Sequence, residues 1–157
     1  MISQKNPRLL KDMQEVSCLV LCLARMVEEL YNYQFEPEQL NAVWKLAVKK
    51  GYIVNRSTKD PDKILEMLKE LTRTDNEKRI LQIGQTLNGF TQYWGWVKDI
   101  YKKQVFTMAM EKTAGSIGTH FILVKSYAEP VIIYDSWNLL RAGEKTNAQR
   151  FIYYGVI

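Results

Sequence analysis

Cys18 and His120 are the residues of this chain that, if paired, would do covalent chemistry. The sequence has two cysteines, Cys18 and Cys22, and one histidine, His120. A thiol becomes a strong nucleophile when a base takes its proton, and an imidazole titrates in the right range to do so. The imidazole in turn needs a group that fixes its tautomer and orientation. Asp135, closing Ile132-Ile133-Tyr134-Asp135, is the acid placed for that role, with Asn138 as a weaker alternative. Gln14 lies four residues ahead of Cys18. Its amide and the Cys18 backbone N–H are candidate donors to an oxyanion. Such a set does acyl transfer: thiolate attack on an amide carbonyl, a thioester intermediate, then hydrolysis.

The elements that must carry these residues follow from periodicity. The most apolar run, Ser17-Cys18-Leu19-Val20-Leu21-Cys22-Leu23-Ala24, comes after the polar Lys11-Asp12-Met13-Gln14-Glu15. Residues 9–33 read as one helix, apolar at nearly every position over 18–23 and so buried on most sides. Cys18 falls near the first turn of the apolar part, where the positive end of the macrodipole favours thiolate. Cys22, one turn deeper, reads as core filler. Glu36-Pro37-Glu38 opens a second helix with Leu40, Val43, Trp44, Ala47 and Val48 as its apolar stripe and Gly51 closing it. Tyr52-Ile53-Val54 is a short extended piece. Asp60-Pro61-Asp62 starts a third helix, with Ile64, Leu65, Leu68 and Leu71 facing inward.

After a polar link the period changes. Residues 78–84, 104–112, 120–126, 131–134 and 150–156 read as strands. Between the first two, Phe90, Tyr93, Trp94, Trp96 and Tyr101 form core, groove wall or a partner-binding surface. Helices first and an antiparallel sheet afterwards make an α+β fold. We expect a single domain over 1–157, helical over about 8–72 and sheet over about 78–157. If the strands at 120–126 and 131–134 pair through Tyr127-Ala128-Glu129-Pro130, His120 and Asp135 come out roughly opposite one another.

Composition narrows the classes. At 157 residues, with 46% hydrophobic and 25% charged residues, the chain can bury a real core and is not a disordered one. The net charge of +5 and pI near 9.1 are mildly basic, but the cations are spread along the chain. They read as a solvated surface, so nucleic acid is not an expected partner. The N-terminus Met1-Ile2-Ser3-Gln4-Lys5 has no signal-peptide pattern, and the apolar run is too short for a bilayer. Reduced thiols point to the cytoplasm. Cys18, Cys22 and His120 lack a fourth zinc ligand, so neither metal nor cofactor is expected.

A helix-borne Cys18, then Gly118-Thr119-His120-Phe121-Ile122-Leu123-Val124, then an apolar strand ending in Asp135 resemble the papain-like cysteine peptidases. The likeness is closest to the compact branch that includes bacteriocin-processing peptidase domains. Within it the chain also resembles an uncharacterised group of plasmid- and phage-borne bacterial proteins. There the likeness runs through Ser17-Cys18, Leu23-Ala24-Arg25-Met26-Val27-Glu28, Gly51-Tyr52-Ile53, Asp60-Pro61, the His120 strand, Asp135 and Arg150-Phe151-Ile152-Tyr153-Tyr154. The resemblance implies N-terminal helices packed on a C-terminal antiparallel sheet. It implies Cys18 as nucleophile, His120 as base, Asp135 as orienting residue and Gln14 as oxyanion donor. Leu19 departs from the pattern, since Gly usually follows the catalytic Cys. The activity implied is a cysteine-dependent peptidase or amide hydrolase acting on a peptide or amide substrate. The alternative is a catalytically inactive protein of this fold that binds a protein partner. In that case Cys18 is a core residue, His120 a satisfied strand histidine and Asp135 a turn cap.

Overall fold

A computed structural model describes residues 1–86, 104–112, 119–126 and 129–157. Phe90, Tyr93, Trp94, Trp96 and Tyr101, with Gly118, Tyr127 and Ala128, lie outside the described residues. The chain divides into two compact units. A helical unit comprises Met1–Glu77 with Ser136–Asn138, and a sheet unit comprises Lys78–Asp135 with Leu139–Ile157. The main boundary falls in the polar link after the last helix.

The helical unit holds α1 (Lys11–Val16), α2 (Cys18–Tyr31), α3 (Pro37–Lys49) and α4 (Pro61–Thr72). The single helix expected over 9–33 is therefore two. The break is at Ser17, whose φ of −93° and ψ of 14° leave the helical region. Its buried hydroxyl donates to the Met13 carbonyl at 2.5 Å, a serine side chain competing for a backbone acceptor one turn back. The polar run Lys11-Asp12-Met13-Gln14-Glu15 is helical as expected, with Met13 as its buried anchor. In α2, Val20, Leu21, Cys22, Leu23 and Ala24 are all buried, as a helix apolar on all sides requires.

The α3 start matches its sequence signals. Pro37 occupies the first turn, and Glu36 and Gln39 form a reciprocal capping box. Leu40, Val43, Trp44 and Ala47 are buried, but Val48 in the last turn is 49% exposed and leaves the stripe. The Asp60 carboxylate caps α4 by accepting from Lys63 N–H at 3.2 Å. α4 packs on α2 and α3. The piece expected at 52–54 is half of a small hairpin, in which β1 (Ile53–Val54) pairs with β2 (Ser57–Thr58). Asn55 and Arg56 turn it with φ of 50° and 65°, the left-handed pair of a type I′ turn.

The sheet unit is antiparallel, with strands β3 (Ile80–Thr86), β4 (Val105–Lys112), β5 (Thr119–Val124), β6 (Ile132–Tyr134) and β7 (Arg150–Val156). Their order is β3-β7-β4-β5-β6, so the last strand lies between the first two. Ile83 is an extra residue in the β3–β7 ladder. A Cβ on Gly155 would meet the end of its side chain at 2.9 Å, so the Ile83 side chain packs over the glycine. Ala109, Ile122, Val124, Ile132, Phe151 and Tyr153 form the unit's apolar cluster. The register pairs Ala109 with Ile122 and with Phe151, which puts the cluster on one face.

Candidate functional site

The polar group lies on that same face, one step beyond the cluster. β4 and β5 pair Ala109 with Ile122 and Glu111 with His120. Side chains alternate between faces, so Glu111 and His120 continue the Ala109–Ile122 row and stand side by side. His120 is 6% exposed and Asp135 only 1%. His120 Nε2 lies 2.7 Å from Asp135 Oδ1.

The two residues expected roughly opposite one another do come together, and the pairing shows how. A register shift between Leu123 and Val124 intervenes, and Leu123 pairs with Tyr134. Carried one step, that register sets Asp135 across from Ile122. Asp135 is thus diagonal to His120, on the same face. The diagonal reach suits a carboxylate meeting the far ring nitrogen of a histidine.

Asp135 accepts a second bond through Oδ2, from Arg141 Nη1 at 2.8 Å. Arg141 closes the short 3-10 turn Leu139–Arg141. Its Nη1 and Nη2 also reach Glu111 Oε1 and Oε2, each at 2.8 Å, in a two-point pairing. Thr146 Oγ1 donates to Glu111 Oε2 at 2.6 Å. These bonds pull the Glu111 carboxyl below its ordinary range, the Arg141 bond most, against burial that pushes it up. The same pairing raises the Arg141 guanidinium above its usual value.

Chemically, two carboxylates face one guanidinium, leaving one negative charge beside His120. An imidazolium would balance it. With Nε2–H donated to Asp135, the basic nitrogen of the ring is Nδ1. The arrangement can therefore hold an imidazole in one tautomer, with a carboxylate against the ring as it takes a proton.

Glu111, His120 and Asp135 each offer a donor atom within 4.8 Å of one another, a spacing that metal sites share. Both carboxylates already bind the guanidinium, so a metal ion there would have to displace Arg141. The set does not contain Cys18 or Cys22, the thiols weighed for zinc.

Cys18 and Gln14 belong to the helical unit. Cys18 is the first residue of α2 and half-buried, whereas Cys22 is fully buried. Its amide is among those an α-helix leaves unsatisfied at its start. Gln14 lies inside α1, not ahead of the helix, and its Nε2 donates to the Leu9 carbonyl at 2.8 Å. One hydrogen of that amide is thus spent locally. Glu111, Arg141 and Thr146 escaped the sequence reading. Only Glu111 had a signal: pairing 104–112 with 120–126 as a hairpin brings it within one position of His120.

The fold and site together define an α+β protein with a His–Asp–Arg–Glu network on an antiparallel sheet, its His and Asp buried. Residues 1–152 match the family described as "Protein of unknown function, DUF261", and the chain belongs to that family. No curated protein and no solved structure matches it.

Proposed function

We propose that this chain is a cysteine-dependent peptidase or amide hydrolase of papain-like type. The observation that carries the reading is the buried 2.7 Å bond between His120 Nε2 and Asp135 Oδ1. In this scheme His120 Nδ1 takes the Cys18 proton, and the thiolate adds to a substrate carbonyl carbon. The Cys18 backbone amide and the remaining Gln14 amide hydrogen donate to the oxyanion. The imidazolium gives its proton to the leaving amine as the C–N bond breaks, forming a thioester. Water, deprotonated by the same imidazole, attacks the thioester and releases the acid and the thiol. Asp135 holds the tautomer throughout, and Arg141 holds Asp135.

Iodoacetamide labelling with peptide mapping tests it. Cys18 should alkylate faster in the wild type than in His120→Ala. Identical Cys18 rates in the two proteins would sink the hydrolase reading. That result would leave a catalytically inactive, partner-binding protein of the same fold.

A further inference from the structure

β4 continues to Lys112, but its pairing with β7 ends at Met110 and Arg150. Beyond that pair the β7 side of the chain leaves the ladder, and the two segments part. A groove of about 540 Å3 opens between them, walled by Met110, Glu111 and Lys112, by residues 145–150 and by Arg141. All of it lies within the sheet unit.

Its charge is one-sided. Lys112, Lys145 and Arg150 are exposed along it. Glu111 is its one acid, and that carboxylate is paired with Arg141. Among the described residues, no ion pair joins Lys112, Lys145 or Arg150 to a carboxylate. Three cations without a carboxylate partner among the described residues, along an open polar groove, suit a ligand with several anionic groups.

The backbone narrows the ligand further. Successive strand residues turn their N–H and C=O to alternate sides. Of Glu111 and Lys112, one therefore presents its backbone groups to the side that β7 has left. An extended peptide can add to that edge, its alternate side chains reaching the groove walls. Asn147 and Gln149, also exposed on the wall, add amide donors and acceptors. The groove borders the site as well, because Glu111 is the direct cross-strand neighbour of His120.

We propose that this groove binds an extended acidic peptide segment, its carboxylates held by Lys112, Lys145 and Arg150. Taking that peptide as the substrate rests on the hydrolase reading; its binding does not.

The test is fluorescence anisotropy on the full chain with a fluorescein-labelled decapeptide of alternating Glu and Ala. A Gln/Ala decapeptide is the neutral control. Cys18→Ala serves as the background, so that no turnover intervenes. In Lys145→Gln/Arg150→Gln, Kd for the acidic peptide should rise about tenfold, with an unchanged melting temperature. The neutral peptide should bind at least about tenfold more weakly than the acidic one. Equal affinity of the two proteins, or of the two peptides, would overturn the proposal. Tripolyphosphate or a single-stranded oligonucleotide that displaces the label at lower concentration than unlabelled acidic peptide would overturn it too, and reassign the groove to phosphates. Cys18 alkylation, read separately on the wild type, decides the hydrolase reading independently.

Discussion

Asp135 and Arg141 are joined by an Oδ2···Nη1 bond of 2.8 Å, and the carboxylate so held is the one that meets His120. The orienting acid is itself oriented. Arg141 further ties Asp135 to Glu111, so the network behaves as one unit.

Removing the guanidinium should therefore be felt throughout. Arg141→Met leaves two neighbouring carboxylates without their shared cation, and we expect a loss of about 1–3 kcal/mol at pH 7. Arg141→Lys should recover only part, because an ammonium cannot bridge Glu111 at two points and still reach Asp135. Urea denaturation measures both. Arg141→Lys with full wild-type stability would contradict the role assigned to the fork.

Acid should weaken the same unit. The Glu111 carboxyl is held below its ordinary value of 4.5, first by its bond from Arg141. A carboxyl depressed in the folded state stabilises fully above its unfolded pKa, and that stability drains away as pH falls through the folded value. The effect therefore belongs below pH 4.5, not near neutrality. Between pH 7 and 3, the fall in melting temperature should be shallower for Glu111→Gln than for the wild type. Parallel curves would show that Glu111 does not contribute.

The two cysteines should differ sharply. Cys22 is 0% exposed, so it should alkylate only when the protein unfolds. Cys18 should react in the native state. If the hydrolase proposal holds, Asp135→Asn, which unseats the His120 tautomer, should slow Cys18 alkylation by roughly tenfold or more at pH 7. Mass mapping of each cysteine peptide over time gives both rates.

Zinc offers a check on who holds the carboxylates. With Arg141 in place, zinc at sub-millimolar concentration should not raise the melting temperature. In Arg141→Met, the donor atoms of Glu111, His120 and Asp135, within 4.8 Å of one another, become accessible to the ion. A zinc-dependent rise in that variant alone would confirm the exchange of one cation for another. A rise in the wild type would mean that Arg141 yields easily.

Much of this was legible in the residues. Arg150–Val156 is a strand with the bounds its pattern gives, because a short aromatic and β-branched run after a polar flank suits a strand buried on both faces. Cys18 to Ala24 announced a buried helix by having no polar face. The Ser17 break was hidden because a serine back-bond leaves no trace in hydropathy. The His120–Asp135 contact was visible as proximity, but its diagonal geometry depended on a register shift. Arg141 was illegible because its position comes from a single 3-10 turn in a stretch without periodicity. A side chain's reach across such a turn depends on backbone angles that no spacing rule encodes.

The placement of β7 sets an order on biosynthesis. Its seven residues, Arg150–Val156, are the ladder that links β3 to β4. While the ribosome is still making the segment before them, β3 lacks the partner it has among the described strands, and β4 has only β5 of its two. The sheet must therefore stay incomplete until its last-made strand arrives, with the β7-facing edges of β3 and β4 open to mispairing with other chains. A nascent chain stalled just short of Arg150 would be a natural client for a chaperone that covers open strand edges.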